Sequence, residues 1–333
     1  MIKSIVRKSL LSKGDARLEE RSLAPIIRKE SGTSFYKLLE ADPKGKVCVI
    51  RKLGGIGDVL MATPMLRQIK KDFPKCELTF AIDMHSTKSN IYYELIKNAP
   101  FLDFIKDHRY VDTHQYMAVV DISSVCIRHE HSGLPILNRI DIFSRAAGIP
   151  CLENKLPFYS VEEKEGFWAD KFLRGIKNKK VILHTASMEG KRSWPLEKYD
   201  ELIQLALLDK LNATFIILDF NNPEKRWNYK NCIDASNTSL REMAALISKA
   251  DFFIGPDSGP MHIAGALEIQ SLVLFGSIPP EARINYYPSH TAYRNNTLPC
   301  IGCWYKPCDK NLKCMTSIES RAIYKILKEK INA

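Results

Sequence analysis

Apolar residues along the chain gather in short β-branched runs that alternate with longer stretches of helical spacing, a pattern that predicts an α/β fold. In the first half, residues 47–51, 78–82 and 117–122 read as strands, with helices at 59–73 and 139–147. Pro150 and Pro157 interrupt the periodicity before a charged helical stretch at 162–175. Strands at 181–184, 214–218, 252–254 and 271–275 then alternate with helices at 196–211, 240–250 and 261–267, and residues 317–331 read as a closing amphipathic helix. A chain of 333 residues is long enough for two such domains. The expected division is an N-terminal Rossmann-like domain at 1–160, a C-terminal one at 161–315 and the last helix at 316–333.

Two of the strand–turn–helix segments carry polar residues where a ligand would collect. In open α/β sheets ligands sit at the carboxyl ends of the strands, where helix N-termini present unpaired N–H groups. ADFFIGPDSGPMHIAGALEIQSLVLFG, residues 250–276, runs from strand through a Gly/Pro turn into a helix, and sets Asp257, Ser258 and His262 within a turn of its start. The local structural alternative is a cap, with Ser258 or Asp257 at the N-cap and Pro260 at the first helical position. VCVIRKLGGIGDVLMATPML, residues 47–66, repeats the design: Gly54, Gly55 and Gly57 allow close backbone approach, and Asp58 opens the helix as a cap or as a carboxylate facing the cleft. This loop is neither G-x-G-x-x-G nor G-x-x-x-x-G-K-[ST], so neither a nicotinamide cofactor nor ATP hydrolysis is supported.

Charge and cysteines add two further expectations. The net charge of +11 is concentrated at the ends: residues 1–46 hold 11 Lys/Arg against 6 Asp/Glu, and residues 281–333 hold 9 against 4. If the last helix returns to the first domain, both basic ends lie on one side and face an anionic surface. A nucleic-acid partner is disfavoured, because no motif for one is visible and the charge does not interleave with aromatics. No continuous apolar h-region follows the basic residues near the N-terminus, and no apolar stretch approaches the roughly 20 residues that span a bilayer. The expectation is a cytoplasmic protein, peripheral to the inner membrane. Nine cysteines in such a compartment read as thiols. Four of them, Cys300, Cys303, Cys308 and Cys314, have the spacing C-x2-C-x4-C-x5-C, open to a structural zinc or iron or to reduced packing.

Taken together, IRKLGGIGDVLMATPML, the turn His184-Thr185-Ala186, Lys191-Arg192-Ser193-Trp194-Pro195, GPDSGPMHIAGAL and LFGSIPPEA resemble glycosyltransferase family 9, the ADP-heptose:lipopolysaccharide heptosyltransferases. The resemblance covers most of the chain. It implies the GT-B architecture, two Rossmann-like domains facing a cleft, with the acceptor in the first and the nucleotide sugar in the second. It also implies inverting transfer from an ADP-sugar to a lipopolysaccharide core with no cofactor required for catalysis. On that reading Asp58 is the general base. Thr185 and the helix N-terminus at Gly259 donate to the diphosphate, Lys191 or Arg192 supplies the cation, and Asp257, Ser258 and His262 complete the pocket. Glu224 corresponds loosely to an acidic residue that holds ribose, and Trp194 packs. Two alternatives stay open: the same enzyme acting on a protein, another glycan or nucleic acid, and a nucleotide-binding module without turnover.

Overall fold

The computed structural model describes residues 34–85, 90–220, 227–304 and 306–332. Strands β1 (Lys46–Arg51), β2 (Glu77–Ile82), β3 (Phe104–Asp107) and β4 (Ala118–Asp121) form one sheet in the order β3-β2-β1-β4. Strands β5 (Lys179–His184), β6 (Ala213–Leu218), β7 (Cys232–Asp234), β8 (Phe252–Pro256), β9 (Ser271–Phe275) and β10 (His290–Arg294) form the other, in the order β10-β9-β8-β5-β6-β7. Every pair is parallel. Strand order reverses between β1 and β4 in the first sheet and between β5 and β8 in the second, so each sheet has a switch point where a crevice opens at the carboxyl ends. This is the two-sheet GT-B arrangement that the resemblance implies.

Because side chains alternate across a sheet, each strand of the second sheet feeds two cores. Ile182, Ile216, Phe253 and Val273 point to one face and join a cluster that continues through Met261 and Ile263 to Leu60, Val49 and Phe80 of the first half. Their neighbours Val181, Leu183, Phe215, Ile217 and Leu272 point to the opposite face, where they pack with Trp194 and Tyr199.

Helix Ile56–Asp72 is the central brace of the first half, burying Val59, Leu60, Met61, Met65, Leu66 and Ile69. Pro64 lies inside it and cannot donate to the Leu60 carbonyl. Thr63 repairs the gap: its hydroxyl donates to Leu60 O at 2.6 Å and accepts Phe158 N at 2.7 Å, which also ties down the segment leading to the second half. That segment ends at helix Glu163–Phe172, which packs on helix Leu240–Ser248. Arg241 of the latter helix is buried at the junction. It donates to both oxygens of Glu165 (2.7 and 2.8 Å), to the Tyr159 hydroxyl (3.0 Å) and to the carbonyls of Ser160 (3.0 Å) and Glu94 (3.1 Å).

One sequence expectation is corrected here. The last helix, Ser320–Asn332, does not cross to the first half; it packs along helix Leu196–Leu208 of the second. Its apolar stripe of Ile323, Leu327 and Ile331 completes the core around Trp194 and Tyr199. Trp194 Nε1 donates to Ile318 O at 3.1 Å, Ser320 Oγ to Lys198 O at 2.9 Å and Tyr324 OH to Asp209 at 2.6 Å, so polar contacts fix the same register. The last helix therefore keeps its basic residues on the second half.

Candidate active site

Between the two switch points lies a cavity of about 890 Å³. The end of β1 contributes Arg51 and residues 53–58, the end of β4 contributes Ser123, the end of β5 contributes His184 and residues 186–189, and the end of β8 contributes Asp257 and Ser258.

On the first wall the chain must turn sharply from strand to helix. Gly54 does so at φ 109°, a left-handed value, and a Cβ there would also run into the Arg51 guanidinium and the Asp58 carboxylate. Gly55 is the N-cap and Asp58 the third residue of the helix, accepting Gly55 N at 3.1 Å. Both sequence readings of Asp58 therefore hold at once, because the side chain also lines the cavity. Arg51 Nη2 lies 3.2 Å from Oδ2, and Arg139 Nη1 donates to Oδ1 at 2.5 Å. Burial alone would raise the Asp58 pKa; Arg139, Arg51 and Arg283 outweigh it and hold the carboxyl well below its usual range.

On the second wall Asp257 is buried at the end of β8, 3.1 Å from Arg192 Nη1 and 3.8 Å from Arg283 Nε. Burial opposes its ionisation, but these guanidiniums lower its pKa. Arg192 also pairs with Glu189 at 2.9 Å. Ser258 is the N-cap of helix Gly259–Ala266, with Pro260 in the first turn, and its hydroxyl turns back to Pro256 O at 3.1 Å. His262 lies one turn in. Burial pushes its pKa down to about 3, and its Nδ1 shares a 2.7 Å hydrogen bond with the Tyr287 hydroxyl. His184 is pushed down to about 4 by burial and, since a carbonyl only accepts, donates from Nδ1 to Leu218 O at 3.0 Å. Both imidazoles are neutral at pH 7.

The two helix starts meet at the cavity floor. A Cβ on Gly259 would lie 2.8 Å from Ile56 Cβ, and one on Gly57 would run into the His262 ring. Three helix N-termini, those of Ile56–Asp72, Leu240–Ser248 and Gly259–Ala266, and five arginines (Arg51, Arg139, Arg192, Arg241, Arg283) thus line one cavity, with Asp58 and Asp257 on opposite walls. Such a site suits an anionic ligand beside a proton acceptor.

A family model described as "Glycosyltransferase family 9 (heptosyltransferase)" matches residues 66–313. The chain belongs to glycosyltransferase family 9. It is 24% identical to lipopolysaccharide heptosyltransferase 1 of Campylobacter coli, over 85% of this chain and 98% of that one. Its fold is similar to E. coli ADP-heptose lps heptosyltransferase II, with TM-score 0.62, 14% identity and coverage of 86% of this chain and 98% of that one. It is likewise similar to TibC of enterotoxigenic E. coli, an iron-containing heptosyltransferase solved with ADP-D-beta-D-heptose, with TM-score 0.62, 17% identity and coverage of 86% and 76%. As a family 9 member the protein is a glycosyltransferase.

Within this family 9 chain, the structure gathers Asp58, Arg192, Asp257, Ser258, Gly259 and His262 on the cavity wall and leaves others aside. Thr185 is buried behind the wall, which Ala186 and Ser187 occupy instead. Lys191 is directed to Trp304 O (3.3 Å) and Glu189 (3.8 Å), so of the two adjacent cations it is Arg192 that reaches the cavity. Glu224 lies outside the described residues. Cys300, Cys303, Cys308 and Cys314 are free thiols, and the Cys314 pKa is raised by burial and by its three neighbours. Among the described residues no group of three His, Cys, Asp or Glu is placed to hold a metal ion. Sequence reasoning missed Arg51, Arg139, Arg241 and Arg283, whose signal was faint: arginines in otherwise apolar or helical stretches, far apart along the chain.

Proposed function

We propose that the cavity transfers a heptose from an ADP-sugar to a hydroxyl of a lipopolysaccharide core, with inversion. The carrying observation is the pairing across one cavity of Asp58, on the first half, with the Arg192–Asp257–Arg283 cluster at a helix N-terminus on the second. The ADP-heptose and lipopolysaccharide named for the related heptosyltransferases support the substrate assignment. In this reading the donor diphosphate lies against Arg192, Arg283 and the start of helix Gly259–Ala266, which take up the charge that develops as the glycosidic bond breaks. The acceptor hydroxyl approaches from the first half. Asp58 accepts its proton as the oxygen attacks the anomeric carbon from the face opposite the leaving ADP. Neutral His262 serves as a hydrogen-bond partner between the walls, not as an acid. The reading assigns residues up to 160 to the acceptor and residues 161–315 to the donor, and sets the protein at the cytoplasmic face of an anionic membrane, where the acceptor is anchored. No step runs through the cysteine segment.

Calorimetric titration with ADP, UDP, GDP and CMP tests the donor side. Selective binding of ADP, weakened at least tenfold by Arg192→Ala, is the expected result; preference for another nucleotide would discard the ADP-sugar.

A further inference from the structure

The charged groups on the two walls are not independent pairs. They form one alternating ladder that crosses the cleft, and its middle rung is Glu130, at the end of helix Val125–Glu130. The Glu130 side chain is 1% exposed and is shared. On one side Arg139 grips it with two donors, Nε to Oε1 at 2.8 Å and Nη2 to Oε2 at 2.7 Å, while the third nitrogen of the same guanidinium donates to Asp58. On the other side Arg283 Nη1, from the second half, donates to Glu130 Oε1 at 2.9 Å, while its Nε faces Asp257. The mount is stiff: Asn138, the residue before Arg139, donates to Glu281 O at 3.1 Å, and Tyr286 OH donates to Asp141 at 2.6 Å, so both ends of the rung are pinned across the halves.

A carboxylate shared by two guanidiniums divides its attraction between them. When an anion takes up part of the Arg283 charge, Arg283 releases Glu130, Glu130 draws harder on Arg139, and Arg139 loosens from Asp58. We propose that Glu130 is a positioning residue that couples the two sides of the reaction, so that a nucleoside diphosphate bound at Arg283 frees Oδ1 of Asp58 to accept a proton while Arg51 and Gly55 N stay on Oδ2. An empty cleft keeps Oδ1 occupied by Arg139; a filled one loosens that hold and leaves Oδ1 to the acceptor hydroxyl.

The inference rests on the reading of Asp58 and the donor cluster given above, and linkage makes it testable without an acceptor. If the ladder transmits, removing the Asp58 charge lets Arg139 pull on Glu130 and loosens Arg283, so ADP binds more tightly. ADP affinities measured by calorimetry for the full-length wild type, Asp58→Asn, Glu130→Gln and the double variant close a cycle. The expected result is about a fivefold gain in affinity from Asp58→Asn in the wild-type background and a clearly smaller gain in the Glu130→Gln background, where only the direct Arg283–Asp58 attraction remains. A gain of the same size in both backgrounds would mean that Asp58 acts through space, and no gain in either would mean that the walls are uncoupled; both overturn the proposal. Arg139→Gln removes the adjacent rung and makes the same prediction, should Glu130→Gln fail to fold. Wild-type protein that does not bind ADP would instead strike the donor reading itself.

Discussion

At Asp58 a change of one atom removes proton transfer without weakening ligand binding. Asp58→Asn keeps the volume and the bond from Gly55 but removes the basic oxygen. Turnover should fall by about two to four orders of magnitude, the usual worth of a general base, while ADP binds at least as tightly as to the wild type. Initial rates with ADP-heptose beside calorimetry check this, and a variant retaining a tenth of wild-type turnover would remove Asp58 from the mechanism. Gly54 offers a second residue-scale test, since its φ of 109° and the crowding by Arg51 and Asp58 act together. Gly54→Ala should cost about 1–3 kcal/mol in urea unfolding and lower activity further by shifting the Asp58 carboxylate. At this scale the motif residues were legible because glycine and aspartate stand at fixed offsets from a strand end. The arginines were not: Arg139 and Arg283 reach the cavity by tertiary packing, and no local spacing announces that Asp58 will be shared between Arg51 and Arg139.

Among the elements, the ones that sequence periodicity located are those buried on both sides. Strands β1, β2, β4, β5, β6, β8 and β9 are apolar runs and fall within a few residues of their expected bounds, β4 although it lies at a sheet edge, because its faces are covered. The strands it missed, β3, β7 and β10, all lie at sheet edges, where FIKD, CID and HTAYR carry polar residues on partly exposed faces. The closing helix was legible as a helix but not in its docking, because an amphipathic stripe does not name its partner. Its exposed face does carry a prediction. Arg321, Lys325 and Lys330 are exposed along it, and each basic residue near an anionic leaflet contributes about 1 kcal/mol. Flotation with phosphatidylglycerol vesicles should recover the wild-type protein at low salt and lose it on triple replacement by Glu; equal recovery, or none for the wild type, would remove this helix face as a membrane contact. At the junction, Arg241→Ala leaves Glu165 buried without its guanidinium partner. The expected cost is about 3–5 kcal/mol, read as a lowered urea midpoint.

For the whole molecule, pH is the informative variable. His262, His184 and His290 have pKa values pushed down to about 3, 4 and 4 by burial, against 6.5 for an unhindered imidazole. Below pH 6.5 the unfolded chain takes up protons that the folded one refuses, so stability falls as pH falls through the window from 6.5 to 4. Near pH 5 the three sites together give a slope of about 4 kcal/mol per pH unit at most. Asp58 and Asp257, depressed by their arginines, extend the loss to lower pH as they become protonated. Urea unfolding at pH 7, 6 and 5 reads the slope, and replacing His262 by Gln should flatten it by about a third; a pH-independent midpoint would show that the imidazoles titrate freely in the fold.

The tip-to-tip meeting of the two helix starts also leaves a mark outside the test tube. Ile56 sits where a Cβ on residue 259 would have to go, and the imidazole of residue 262 fills the space beside position 57. Each pair therefore shares one fixed volume across two halves of the chain that lie two hundred residues apart in sequence. Descendants of this sequence can enlarge position 57 only by shrinking position 262, and position 259 only at the expense of position 56. Sequence histories of close relatives should record those exchanges as paired substitutions, with the intervening residues free to wander.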